Sequence, residues 1–195
     1  VVLMMRLAQA YERADDPIER AWKRIMTPAA KFWVCKRAVE LTGETMEVFG
    51  GNGYVDDGVM GRLFRAAPVN SIWEGSGNVM CLDVMRAMGR EPAATMALLE
   101  ALLMACGDDA RIRAEIQSLQ ALLMQPADHL EALGRRLTER LVLLAQACLL
   151  RQHAPNWVAD AFVQTRLDTY WGRVVGAIDT RNLNVDAILQ RAYPA

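Results

Sequence analysis

PIERAWKRIMTPAAKFWVCKRAVELTGETMEVFGGNG, residues 17–53, is the stretch whose reading decides the fold. Ile25, Ala29, Phe32, Val39 and Met46 recur along it at helical spacing, so one face is apolar. Asp16 stands just before it as an N-cap, and Pro17 supplies the first helical position, where a missing N–H costs nothing. Gly50-Gly51-Asn52-Gly53 ends it, because glycines around an asparagine permit positive φ and a close backbone approach. The pattern predicts one long helix from Pro17 to about Phe49. Pro28 should bend or break it, since its ring crowds the preceding turn.

The same reading extends in both directions. A first helix runs from the start to about Ala14. Beyond the glycines come a short helix near residues 60–65, an extended stretch over 67–73, and a helix over 79–88. Gly89-Arg90-Glu91-Pro92 reads as a boundary, dividing the chain into residues 1–90 and 91–195. Further helices are expected at about 93–106, 109–124, 127–153 and 156–170, broken at Gly107-Asp108, Gln125-Pro126 and Ala154-Pro155. The part with Asp179, Asn182 and Asn184 reads as loop and a short terminal helix. β-branched runs long enough for strands are absent, so the fold class is all-α, a bundle of antiparallel helices.

Hydrophobic residues make up 53% of the 195 and charged residues 23%, an ordinary globular composition. A net charge of -1 gives no global attraction to nucleic acid or to a membrane surface, although it leaves a local basic patch open. Cys35, Cys81, Cys106 and Cys148 are scattered through apolar patterns, and His129 and His153 are far from forming a metal cluster in sequence. They read as buried, reduced thiols of a cytoplasmic protein, with no metal site. The apolar runs at residues 1–5 and 141–150 are too short to span a bilayer. The chain opens in helical pattern without an initiator Met, and reads as part of something longer.

Two segments carry chemistry. Met46-Glu47-Val48-Phe49-Gly50-Gly51-Asn52-Gly53-Tyr54 is a helix end followed by backbone bare enough to lie on a ligand, or simply a good helix stop. It is no dinucleotide fingerprint, since no strand precedes it and no helix opens immediately after it. Asn70-Ser71-Ile72-Trp73-Glu74-Gly75-Ser76-Gly77-Asn78 sets a carboxylate beside a large aromatic on a glycine-flanked turn. Partial desolvation there would raise the pKa of Glu74 and suit it to proton abstraction. Ser76 or Asn78 can cap the helix that follows, whose free N–H groups welcome an anion. A capped helix with an exposed glutamate is the competing reading.

In this order and at this separation the two segments resemble the carboxy-terminal signatures of acyl-CoA dehydrogenases, Q-[IV]-x-G-G-x-G-[YF] and [YW]-E-G-[TS]. Residues 26–37 and 70–86, and Leu133-Gly134-Arg135-Arg136-Leu137-Thr138 more weakly, are similar to the AidB-like alkylation-response branch. The resemblance implies an acyl-CoA dehydrogenase C-terminal helical bundle with an additional helical carboxy-terminal region. It implies a parent flavoprotein that carries out α,β-dehydrogenation of acyl-CoA thioesters with FAD, usually as a tetramer. In that chemistry a carboxylate removes the α-proton while the β-hydrogen leaves as hydride to the flavin.

By position Glu74 matches the base, although some members place it on an earlier helix that this chain lacks. Glu47, Val48, Phe49, Gly50 and Gly51 would line the FAD of a neighbouring subunit. Ile72, Trp73, Gly75 and Ser76 would touch FAD near its reactive ring. Glu47 departs from the usual glutamine, and its carboxylate would repel a pyrophosphate. Without the family's other domains the chain is expected neither to hold FAD tightly nor to turn over acyl-CoA.

The AidB-like branch is also associated with double-stranded DNA. Arg135, Arg136 and Arg140 are the candidates here, but beyond Pro92 ten arginines face eleven acids, and a solvated helix face competes. The apolar stripe of the residue 17–49 helix, left uncovered, favours a homo-oligomer. Trp22, Trp33, Trp157 and Trp171 read as core or interface filler.

Overall fold

The computed structural model describes residues 1–167 and 174–193. Helices α1 (Val2–Glu12), α2 (Pro17–Ala21), α3 (Thr27–Val48), α4 (Gly51–Tyr54), α5 (Met60–Asn70) and α6 (Gly77–Arg90) come first. Then follow α7 (Pro92–Ala105), α8 (Ala110–Leu123), α9 (Ala127–Ala132), α10 (Gly134–His153), α11 (Asn156–Arg166) and α12 (Val185–Ala192). Among the described residues there is no strand, and no helix is long and apolar enough to cross a membrane. The expected continuation of α11 to Tyr170, and Trp171, lie outside the described residues.

The core forms around α10. Leu141, Val142, Leu143, Leu144 and Ala145 are all buried in succession, so this helix is enclosed on every side rather than laid on a surface. It packs against α1, α3, α6, α7, α8 and α11. Residues from both sides of position 90 share a single cluster that joins Leu3, Ile25, Val84, Leu98, Ile112, Leu141 and Val163.

Three polar networks stitch the helices. Asp16 caps α2 as its sequence predicts, accepting from the N–H of Ile18 at 2.7 Å and of Glu19 at 3.3 Å. Arg6 clasps the buried carboxylate of Glu19 at 2.5 and 3.1 Å and lies 4.3 Å over the ring of buried Trp22. Asp109 caps α8 through the N–H groups of Arg111 and Ile112, both at 3.0 Å, while accepting from Arg151 at 2.5 and 2.9 Å. Arg151 also reaches Asp160 at 2.6 Å, so one guanidinium ties α8, α10 and α11. Burial would raise the Asp109 pKa, but the Ile112 N–H and Arg151 outweigh it and hold the carboxyl below its ordinary value.

The structure corrects the predicted elements at four places. The helix predicted from Pro17 to Phe49 is continuous but carries a π-helical turn at Trp22–Met26, just ahead of Pro28. A wider turn there relieves the clash that a proline makes with the carbonyl four residues back. The stretch 67–73 is not extended, because α5 runs through Pro68 to Asn70. Packing on α3 overrides the proline: Ala67 is buried, and the Phe64 ring lies 3.4 Å from where a Cβ on Gly43 would stand. A four-residue helical turn, α4, opens directly after Gly50, where none was expected.

The predicted 127–153 helix divides at Leu133, whose N–H closes a tight turn on the Leu130 carbonyl at 3.1 Å. That division seats Gly134 against Cys81 and Met85 of α6. Trp33 and Trp157 are half-buried, as filler residues would be, and all four cysteines are unpaired. Cys81, Cys106 and Cys148 are buried, whereas Cys35 is only half-buried.

Candidate functional site

The turn between α5 and α6 holds Glu74. Its entry is built from tight backbone bonds, with the N–H groups of Ile72 and Trp73 both donating to the Val69 carbonyl, at 2.9 and 3.1 Å. Glu74 then takes φ 54°, the only positive value among the described non-glycine residues, and Gly75 follows at 105°. A left-handed residue with a Cβ costs about 1–2 kcal/mol, so something must hold it. On one side Met80 closes in, with its Cε 2.2 Å from where a Cβ on Gly75 would lie. On the other, the Lys31 ammonium of α3 donates to the Trp73 carbonyl at 2.7 Å and to the Gly75 carbonyl.

The Glu74 side chain is exposed, as are Ile72 at 64% and Trp73 at 60%. The desolvated carboxylate expected from its aromatic neighbour is therefore not seen within this chain. Glu74 and Lys31 line an open cavity of about 620 Å³ with Tyr11, Lys23, Thr27 and Asp83. On its wall Arg24 grips Asp83 at 2.8 and 2.9 Å. That hydrogen bond, against a smaller opposing effect of burial, holds the Asp83 carboxyl below its ordinary value and raises Arg24.

Ser76 is the N-cap of α6 with extended backbone, yet its side chain makes no capping bond, and Asn78 does not cap either. The Asn78 side-chain amide oxygen, Oδ1, instead accepts from Arg135 at 3.0 Å. Gly77 is buried against Phe32 and Lys36, whose Cε would lie 3.0 Å from an added Cβ.

The other segment sits at the far end of α3. Gly50 has φ 58° and stops the helix, and an added Cβ on Gly50 or Gly51 would meet nothing within 4 Å. Gly53 is different: its Cβ would fall 2.2 Å from the Met46 carbonyl oxygen. The close approach expected of these glycines is thus made at Gly53 onto the chain's own helix, while Gly50 and Gly51 stay bare. Glu47, Val48 (83%) and Phe49 (58%) are exposed. From Lys31 to Glu47 is about 24 Å along α3 at 1.5 Å per residue, so one chain does not bring the two segments together.

What these residues could hold can be tested against FAD. Bare glycine backbone, exposed Val48, Phe49, Ile72 and Trp73, and an α6 N-terminus free of side-chain caps fit a large, flat cofactor that carries phosphates. The exposed Glu47 carboxylate does not favour a phosphate beside it. Among the described residues, no group of His, Cys, Asp or Glu side chains is arranged to hold a metal ion.

The three arginines are dispersed. Arg135 is engaged with Asn78 and lies 5.4 Å over the Phe32 ring, and Arg140 is paired with Glu115. Arg136 is exposed and shares a shallow hollow of about 330 Å³ with Arg140. Glu139, beside them in sequence, is half-buried, and that burial raises its carboxyl above the ordinary value despite the nearby Arg37.

Lys31 is the residue that sequence reasoning missed as a site residue. Its role rests on partners more than forty positions away, and nothing local marks it.

Residues 2–89 match the family described as acyl-CoA dehydrogenase, C-terminal domain. AidB of Escherichia coli is 43% identical over 170 residues, which cover 87% of this chain and 31% of AidB. Among solved structures, Bd2924 in its apo form is 28% identical with a TM-score of 0.68, covering 77% of this chain and 30% of its own. Caenorhabditis elegans ACDH-11 in complex with C11-CoA is similar in fold at 23% identity and a TM-score of 0.75, covering all of this chain and 38% of its own. The chain spans about a third of the length of these relatives.

Proposed function

Because residues 2–89 belong to the acyl-CoA dehydrogenase family as its carboxy-terminal domain, and likeness to AidB covers most of the chain, we propose that it serves a flavoprotein oxidising acyl-CoA thioesters. Residues 91–195 are the branch's additional helical region, packed on the family domain. Glu74 is the base that takes the α-proton. Glu47, Val48, Phe49, Gly50 and Gly51 touch the FAD of a neighbouring subunit, while Ile72, Trp73, Gly75 and Ser76 touch FAD near its ring. The cofactor, when bound, supplies the hydride acceptor.

The carrying observation is the Trp73-Glu74-Gly75 turn, which displays an exposed carboxylate just after the exposed Ile72 and Trp73 at the family's signature position. Exposure here leaves room for a further domain or subunit to cover the turn and dry the carboxylate. A homo-oligomer in the cytoplasm completes this reading, supported by the exposed apolar residues of α3 and the four unpaired cysteines.

Glu74→Gln in the flavin-loaded protein tests it. Acyl-CoA-driven bleaching of the flavin should slow by roughly 10²-fold or more while acyl-CoA binding persists. Unchanged bleaching would remove Glu74 from the role. The chain by itself should bind no stoichiometric FAD on equilibrium dialysis and should oxidise no acyl-CoA.

Double-stranded DNA is the second reading, favoured by exposed Arg136 beside Arg140 on one side of α10. Fluorescence anisotropy with a generic duplex should then show affinity that falls steeply with salt and weakens in Arg136→Ala. Absence of binding at low salt would end this reading for the chain.

A further inference from the structure

The turn that carries Glu74 has two successive residues of positive φ, and such a turn does not hold itself. No backbone hydrogen bond closes it after Trp73, and the next begins only at the N–H of Met80, which donates to the Ser76 carbonyl. Between these points the Trp73 and Gly75 carbonyl oxygens, of the residues before and after Glu74, turn to one place. The Lys31 ammonium occupies that place, donating to the Trp73 carbonyl at 2.7 Å and to the Gly75 carbonyl. An ammonium has three donors in a compact head, so it can serve two converging carbonyls at once. Lys31 stands on the regular part of α3 just after the buried Pro28, Ala29 and Ala30, so its own base is fixed in the core.

We infer that Lys31 is a positioning residue for Glu74. By tying together the two carbonyls that bracket the glutamate, it fixes the left-handed conformation of Glu74 and hence the direction in which its carboxylate leaves the backbone. The clamp itself stands on the geometry of this chain. Its consequence for catalysis rests on the proposed role of Glu74 as the base. Met80 restricts the turn from the opposite side, but only by contact, and contact alone does not orient a peptide plane.

The test compares the wild-type chain with Lys31→Met, which keeps the length of the side chain and removes its donors, and with Lys31→Arg, which restores donors. Hydrogen–deuterium exchange of the Ile72 and Trp73 amides, which are hydrogen-bonded to Val69, is read first, because it needs neither flavin nor turnover. Lys31→Met should speed exchange there by about tenfold or more, with the α10 amides at 141–149 unchanged and Lys31→Arg partly restoring protection. Unchanged exchange at Ile72 and Trp73 in Lys31→Met overturns the clamp.

The second readout is acyl-CoA oxidation by the flavin-loaded protein. Lys31→Met should lower kcat by about tenfold or more with KM little altered, as expected when a reacting group is misdirected. Lys31→Arg should recover part of the loss. If Glu74→Gln abolishes turnover while Lys31→Met leaves kcat intact, the positioning role is overturned. If Glu74→Gln itself leaves turnover intact while exchange responds to Lys31→Met, the assignment of the base has failed and the clamp stands.

Discussion

Helix α10 and the outer half of α3 are both long, regular and rich in apolar residues, yet they use those residues in opposite ways. Along α10, Leu137, Leu141, Val142, Leu144, Ala145 and Cys148 are nearly or wholly withdrawn from solvent. Along α3 burial stops at Phe32, and Val34, Leu41 and Val48, with Phe49 just past its end, stand exposed although α4 and α5 pack on the helix. One region spends its apolar surface on folding this chain, and the other leaves it exposed. The signature motif lies in the second region, where burial within the chain cannot explain the residues.

Four measurements break or sharpen that contrast. The largest effect should come from Leu144→Ala, which opens a cavity in the core and should cost about 3 kcal/mol in urea denaturation. Leu41→Ala, half exposed on α3, should change stability by no more than about 0.5 kcal/mol. Equal losses would erase the distinction between the two regions. Next, Asp109→Ala removes the α8 cap and leaves Arg151 short of a partner, with an expected cost of about 2 kcal/mol. A smaller loss would mean that Asp160 alone satisfies Arg151.

The third is acid. Asp83 and Asp109 both have depressed pKa values in the folded state. The stability they add is complete above the ordinary carboxylate pKa of about 3.9 and is lost as pH falls below it, through their folded-state values. The urea midpoint should therefore hold above about pH 4, drop as pH falls below it, and drop less in Asp109→Asn. The least perturbing test is thiol labelling under native conditions. Cys35, half-buried on α3, should react with iodoacetamide first. Cys148, whose thiol burial pushes up to about 12, should stay unlabelled until the chain unfolds. Early labelling of Cys148 would show that the α10 region opens more readily than its packing indicates.

The sequence was legible wherever the deciding signal was local. Asp16-Pro17, Gly50, Asp109 and the break before Asn156 each mark a helix end through their own backbone chemistry, and each end lies there. Reading failed where packing outvoted a local rule. Pro68 announced an extended stretch, but the fit of Phe64 and Ala67 against α3 carries the helix through it. Leu133 carries no breaking residue, yet the chain bends there so that Gly134 can meet α6. At the site, the Glu74 turn was visible from its glycines and aromatic. Its anchor was not, because a lysine on a helix is ordinary until a partner more than forty positions away folds onto it.

The π-helical turn at Trp22–Met26 sets the phase of everything after it. An α-helix advances about 100° per residue, so absorbing one residue in a wider turn spares the rest of α3 a rotation of about that angle relative to α2. Winding 22–26 as plain α-helix with every residue kept would leave a helix of nearly the same length and the same circular dichroism. Its faces would nonetheless be re-indexed: Phe32 would swing out of the core, and Lys31 would point away from the turn it grips. The site is thus keyed to the chain by a rotation that no measure of helical content can detect.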